Sequence, residues 1–170
     1  MTASESLKSR YPSYVMVLIR LLFGYLWYES VLWKNPPRFG LDTGADFYFW
    51  VDNVVKHSHF AFGVAFFKAV VLPNFLFFGW LIFFLEIVQS VSFLLGFKTR
   101  ILAIVTALYT FNMYLGSFGI PAEWPWSYLL MTMVSLALVA HDTSDTVLSV
   151  DYWLKRRAAR TKPSAAALTK

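Results

Sequence analysis

Phe75-Leu-Phe-Phe-Gly-Trp-Leu-Ile-Phe-Phe-Leu-Glu86-Ile-Val-Gln89-Ser-Val-Ser-Phe-Leu-Leu95 is the stretch that decides the fold. At about 1.5 Å per residue it reaches roughly 30 Å as a helix, the thickness of a bilayer's hydrocarbon core. Glu86 sits near its middle, where a carboxylate is expensive unless it is paired or has a task. Gln89 follows three residues later and shares its helical face. The stretch predicts an integral membrane protein whose interior is partly polar.

Composition points the same way. Of 170 residues, 58% are hydrophobic and 19% aromatic, with a mean hydropathy of +0.53. That is more apolar surface than a soluble domain of this size can bury, so the surplus is expected to face lipid. The chain has no cysteine. Disulfides, Cys-ligated zinc, iron–sulfur clusters, c-type haem attachment and thiol redox chemistry are therefore excluded from its own side chains. The net charge of +5 comes from basic residues in tails and short connections beside apolar segments. This favours anionic lipid headgroups as the partner and gives no sign of nucleic acid binding.

Four segments read as spans: 14–33, 75–95, 101–118 and 124–140. The expected fold class is an all-α integral membrane protein. It is a four-helix transmembrane bundle forming a single domain over 1–160, followed by a disordered tail over 161–170. The short hairpin Gly96-Phe-Lys-Thr-Arg100 and the connection at 119–125 make neighbouring spans antiparallel. No cleavage pattern follows the first span, which is expected to be retained. Lys8, Arg10, Lys98, Arg100, Lys155, Arg156, Arg157, Arg160 and Lys162 all fall on one side. The positive-inside rule makes that side, and both termini, cytoplasmic in a multi-pass cell-membrane protein.

Residues 35–74 are too many for a plain loop in so small a chain. Phe47, Trp50, Val51, Val54 and Val55 recur at helical spacing opposite Asp46, Asp52, Asn53 and Lys56. This predicts an interfacial helix over 43–57 with Thr43 as its N-cap. Residues 60–72 are short for a span, carry Lys68, and are expected to form a second interfacial or re-entrant helix ended by Pro73. A basic surface helix is expected over 147–157.

Depth arithmetic suggests a partner for Glu86. With the first span starting at Tyr14 and the second ending at Leu95, Arg20 and Gln89 both lie about 9 Å from the same membrane edge and Glu86 about 13 Å. A buried Arg20–Glu86–Gln89 cluster is therefore expected, either as a structural ion pair or as a relay. Nearer the outer surface, Trp27, Glu29, Trp33, Lys34 and Trp126 offer aromatic walls with a few polar groups. They form the candidate pocket for a quinone-like ring, or alternatively an interfacial anchoring belt. His57-Ser-His59 places its imidazoles about 200° apart on a helix, with His141 on the other side of the membrane, so no metal or haem site is expected. Asn112, midway along the third span, is a candidate for an interhelical hydrogen bond. There is no phosphate loop and no nucleophile with a placed base.

Three motifs carry a family likeness: Arg20-Leu-Leu-Phe-Gly24 leading to Trp33-Lys34, Leu85-Glu86-Ile-Val-Gln-Ser-Val-Ser-Phe-Leu-Leu-Gly96-Phe-Lys-Thr99-Arg100, and Pro125-Trp126-Ser-Tyr128. The chain resembles the DoxX-like superfamily of small four-helix membrane proteins, which includes DoxD, the membrane subunit of thiosulfate:quinone oxidoreductase. The closing segment 142–151 departs from that pattern, lacking its Gly and Arg. The resemblance implies a subunit of a quinone-linked redox complex that binds quinone near the outer face and works with membrane-protein partner subunits. The alternative is a non-catalytic scaffold or accessory subunit of a larger respiratory or photosynthetic complex.

Overall fold

The computed structural model describes residues 3–161 apart from 142 and 147, with side chains from Ser13 to Arg160 except 142, 145 and 147. Past Thr161, the tail expected over 161–170 lies outside the described residues, as do the side chains of Lys8, Arg10, Asp142 and Lys162. The described residues form the α-helices α1 (Ala3–Leu32), α2 (Asp46–His57), α3 (Ala61–Phe66), α4 (Phe75–Leu95), α5 (Thr99–Ser117), α6 (Pro125–Ala140) and α7 (Val150–Thr161). Among the described residues there is no strand.

Two helical runs, Ser13–Leu32 and Ala61–Leu95, are long and apolar enough to cross a membrane; Pro125–Ala140 is apolar but shorter. A core helix of a soluble protein would be mostly covered. Here only 28% and 22% of the most apolar windows of the two long runs are buried. Leu18, Leu22, Phe77, Phe84, Leu108 and Leu130 all point away from the rest of the chain.

α1 packs along α4, and α5 along α6. The α5–α6 seam is built from small and hydroxylated residues, including buried Ala103, Thr106, Ala107, Thr110, Thr132 and Ser135. Their size lets the backbones approach, and the hydroxyls return hydrogen bonds to their own helices, as from Thr106 to the Leu102 carbonyl and from Ser135 to that of Met131. Thr110 and Thr132 also share a hydrogen bond of 2.9 Å across the seam. Phe23, Trp27, Phe93, Ala103 and Leu138 form the apolar centre joining the two pairs.

Two local expectations are corrected. Pro73 does not end a separate helix over 60–72; the chain stays helical from Ala61 to Leu95. A π-helical turn at Phe67–Val71 lets the Leu72 N–H reach back to the Phe67 carbonyl. Pro73 then falls at the start of a single 3-10 turn, Leu72–Asn74, where its missing N–H is tolerated. The Asn74 side-chain amide donates to the Val70 carbonyl at 3.0 Å. Thr43 is also not the cap of α2. The cap position is Ala45, without a side-chain bond, and the Thr43 hydroxyl donates to the Gly40 carbonyl in the preceding turn.

The loop before α2 is pinned to α4 through Phe39, which is fully buried. A Cβ on Gly79 would lie 2.6 Å from Phe39 Cδ2, so the close seating of that ring requires glycine there. Phe47 stacks on Phe75 and Trp50 meets Phe67 edge-on, laying the apolar face of α2 over the start of α4. Opposite it, Asp52 pairs with Lys56 at 2.6 Å on the exposed side, a contact that adds little stability in solvent.

At the opposite end, the segment after α6 folds onto the α4–α5 hairpin. The Ser149 hydroxyl donates to the Gly96 carbonyl at 2.7 Å and the Lys98 N–H donates to Asp151 Oδ2 at 2.8 Å. Gly96 has φ of +69° and a Cβ on it would fall 1.9 Å from Arg20 Nη1. Gly44 has nearly the same φ, +68°, with open space around it. The two positions separate backbone cost from steric cost. Gly44→Ala is expected to lose about 1–2 kcal/mol, the usual cost of a side chain in the left-handed region. Gly96→Ala should lose distinctly more, because the Arg20 guanidinium must also move. Reversible denaturation of both variants in mixed micelles checks this; equal losses would show that the Arg20 packing contributes nothing.

Candidate functional site

Glu86 is 1% exposed and is the centre of the polar interior. Its Oε2 lies 2.7 Å from Lys34 Nζ, itself 2% exposed, and accepts a hydrogen bond of 3.0 Å from the Ser30 hydroxyl. Its Oε1 accepts one of 2.9 Å from the Tyr109 hydroxyl. The carboxylate is thus held by α1, the turn after α1, and α5. Lys34 also lies 4.5 Å from the Trp33 ring centroid and 5.3 Å from that of Phe47, so α2 closes over the ammonium. Burial pushes the Lys34 ammonium below its usual pKa, with Glu86 opposing the shift.

This corrects the expected Arg20–Glu86–Gln89 cluster. The Ser30 hydroxyl bonds Glu86, the Ser90 hydroxyl bonds the Gly24 carbonyl, and Arg20 abuts Gly96. Antiparallel register therefore sets Arg20 ten residues, about 15 Å, from the level of Glu86. Depth arithmetic failed because it began both spans at one plane, whereas α1 slides about two turns past the end of α4. Arg20 is buried and donates from Nη2 to the Leu148 carbonyl at 2.7 Å; its Nε and Nη1 have no protein partner. Gln89 is also buried, with neither amide atom bonded to protein.

The five residues of the sequence-based pocket are not gathered around one space. Trp27 and Lys34 face inward and are buried. Glu29, Trp33 and Trp126 are exposed, with Trp33 at 43% and Trp126 at 58%. Helical period explains the split within α1, where Trp27 and Ser30 follow at i and i+3 while Glu29 lies about 200° from Trp27; Lys34 turns inward from the turn after the helix. His57 ends α2, and the His59 ring lies against Gly119 at the same end of the molecule.

A cavity that has Tyr109 in its wall lies under α2, between the π turn, α4 and α5. It encloses about 200 Å³ and is lined by Phe47, Trp50, Phe67, Ile82, Tyr109 and Asn112, among others. A cavity of about 150 Å³ suffices for benzene, so this one has room for a substituted six-membered ring. Three of its lining side chains carry a polar group: Trp50, Tyr109 and Asn112. Tyr109 connects the cavity to Glu86, and the Asn112 amide has no hydrogen-bond partner among the described residues. Asn112 therefore does not make the interhelical bond expected of it. Sequence reasoning missed Ser30 and Tyr109, for neither has a spacing signal within its apolar helix; only antiparallel register brings them to the carboxylate.

A family model described as the TQO small subunit DoxD matches residues 15–169. No curated protein and no solved structure gives a match.

The ion pair predicts a coupling that the corrected geometry confines to one partner. Glu86→Gln and Lys34→Met should each cost about 3–5 kcal/mol by leaving one buried charge alone, and the double variant should cost clearly less than their sum. Arg20→Gln combined with Glu86→Gln should instead be additive. Denaturation in mixed micelles measures both cycles; an additive Lys34–Glu86 cycle would remove the pair from the site.

Proposed function

From the premise that the chain belongs to the DoxD family, the small subunits of a quinone oxidoreductase, we propose that it is the quinone-binding membrane subunit of such an assembly, with the ring held in the cavity under α2. The single observation carrying this is Tyr109, whose side chain lines an apolar, ring-sized space while its hydroxyl is hydrogen-bonded to a buried carboxylate. Phe47, Trp50 and Phe67 supply faces for stacking, and Asn112 offers a donor to a ring carbonyl.

Reducing a quinone consumes two electrons and two protons. The electrons come from the reductant oxidised by the partner subunit, which in this family's activity is thiosulfate. The chain's own residues handle protons. Tyr109 gives one proton to a reduced ring oxygen and recovers it through Glu86 from Lys34, whose ammonium burial has made a readier donor; Lys34 takes a proton back from the outer aqueous side, and the second proton reaches the other ring oxygen from water at the open side of the cavity. Ser30 keeps Glu86 oriented between the two. Phe47 and α2 cover the Lys34 end of this row.

The proposed setting is a four-helix transmembrane bundle of α1, α4, α5 and α6. Lys98, Arg100 and the basic α7 share one end, and by the positive-inside rule that end is cytoplasmic. The cavity then opens nearer the outer face, and both termini lie inside. Anionic headgroups are the lipid partners of the basic end, and the unpaired apolar helix faces leave room for partner subunits. A scaffold role without catalysis is the second reading; the Tyr109–Glu86–Lys34 row favours the first, since a scaffold has no need of a hydroxyl linking a cavity to a buried charge pair.

Quinone titration followed by tryptophan quenching tests the site, because Trp50 lines the cavity. Tyr109→Phe and Asn112→Leu are each expected to weaken binding about 3–10-fold, the worth of one hydrogen bond, while the exposed Trp33→Leu should leave affinity unchanged. No quenching in the wild-type protein would leave the scaffold reading in place.

The absence of native cysteine makes topology directly measurable. A cysteine replacing exposed Asp42 should react with an impermeant thiol reagent in intact cells, and one replacing Lys98 should not. Labelling at 98 from outside would reverse the assignment.

A further inference from the structure

Register carries the polar interior one level further inward than the Glu86 row. Ser30, Glu86 and Tyr109 meet at one level, each from a different helix. One turn nearer the basic end, at i−3, i+3 and i−3 from them, stand Trp27, Gln89 and Thr106. The bond from the Ser90 hydroxyl to the Gly24 carbonyl fixes the same register between α1 and α4. All three residues are 1% exposed or less. Trp27 Nε1 and both amide atoms of Gln89 have no partner among the described residues. The Thr106 hydroxyl donates to the Leu102 carbonyl of its own helix, which leaves its oxygen able to accept.

Another turn inward the pattern changes. Phe23, Phe93, Ala103 and Leu138 close the bundle without a polar atom in any of these side chains, and the two rings lie 5.2 Å apart. Beyond them come Arg20, Gly96 and Thr99. There Arg20 Nε and Nη1 and the Thr99 hydroxyl again have no partner among the described residues. A single apolar layer therefore interrupts the polar column. From the level of Gln89 to that of Gly96 is about 10 Å along the helix axis.

A direct bond from the Trp27 N–H to Gln89 Oε1 would still leave the amide hydrogens of Gln89 unmet, and Glu86 already accepts from Lys34, Ser30 and Tyr109. Buried polar groups in this condition are ordinarily satisfied by an internal water making about three bonds. We propose that Trp27, Gln89 and Thr106 bind internal water that extends the Glu86 row inward, and that the Phe23–Phe93 layer seals this water from the basic end. The water accepts from the indole N–H, exchanges bonds with the Gln89 amide and donates to the Thr106 oxygen. Were the layer wet, hydrated polar levels on both of its sides would join into a proton path across the bilayer. With it dry, protons reach Glu86 from the outer end alone. The inference rests on the membrane setting proposed above and does not require a ring in the cavity.

Two measurements on the full-length protein in lipid vesicles test it. Radiolytic hydroxyl-radical labelling marks side chains that touch ordered water. Trp27 should be labelled in the wild-type protein and Phe93 should not, and Gln89→Leu should remove the Trp27 label. An unlabelled Trp27 would overturn the water site, and this arm needs no change in the apolar layer, so it decides even where a layer variant fails to fold. Proton uptake driven by a potassium diffusion potential and read by an entrapped pH dye tests the seal. Wild-type vesicles should be as tight as protein-free ones. Phe93→Asn and Phe23→Asn are each expected to raise the rate about tenfold or more, equivalent to about 1.4 kcal/mol off the barrier, while Phe93→Leu keeps the layer apolar and stays tight. Adding Gln89→Leu to Phe93→Asn should close the leak again. Tight vesicles with both folded Asn variants would remove the seal, and a leak that persists with Gln89→Leu would remove the route through this level. Quinone titration of the same samples is read separately, so loss of ring binding leaves both outcomes standing.

Discussion

An ammonium and a carboxylate 2.7 Å apart with almost no exposure cannot be left to their mutual attraction alone. Removing the two ions from water costs several kcal/mol each, and the Coulomb gain offsets it only where geometry is close and the remaining oxygens and protons are bonded. Glu86 meets that condition with Ser30 and Tyr109. Meeting it constrains most of the chain. α1 must end at Leu32 so that Lys34 turns back inward, α5 must present Tyr109 at the level of Glu86, and α2 must lie over Lys34 to keep water out. The loop that returns α2 to this position depends in turn on Phe39 seated against Gly79.

The parts of this arrangement that were legible in the sequence are those governed by local period. The apolar run ending at Leu95 is helical, Glu86 and Gln89 are buried, and the alternation around Phe47, Val51 and Val54 does mark a helix with one buried face. What was not legible depends on register between helices. Lys34 follows a Trp and precedes Asn-Pro-Pro, a setting that reads as an exposed interfacial end. Nothing local says that the helix stops two residues before it and that the side chain turns inward. Arg20 looked like the better partner because it lies within an apolar helix, yet a slide of about two turns carries it beside Gly96. Tyr109 was hidden by the same cause, since an aromatic residue in an apolar helix is ordinarily packing.

Proline shows a different limit. Pro73 is a strong stop signal by itself, and the expected break failed because the π turn before it had already shifted the hydrogen-bond pattern. Neither Phe67 nor Val71 announces such a turn by residue type. Its consequence is functional in the proposed reading. Phe66 and Phe67, at the start of the widened turn, line both the cavity under α2 and a smaller neighbouring space beside Gly116, so a local irregularity in backbone bonding adjoins the proposed ring site.

The division of labour within a quinone oxidoreductase follows from what this chain can carry. With no cysteine, it cannot hold a thiolate-bound cluster or perform thiol redox chemistry, so electrons are expected to reach a ring in the cavity from the partner subunit. Protons pose the complementary problem. In the proposed reading, a hydroxyl in line with a carboxylate and an ammonium is a means of delivering one of them to a ring oxygen across an apolar layer. The same burial that makes the Lys34–Glu86 pair expensive also lowers the proton affinity of Lys34, against the opposing pull of Glu86. On this view the cost of the buried pair and its use in proton delivery have one physical origin, the low dielectric that α2 maintains over both.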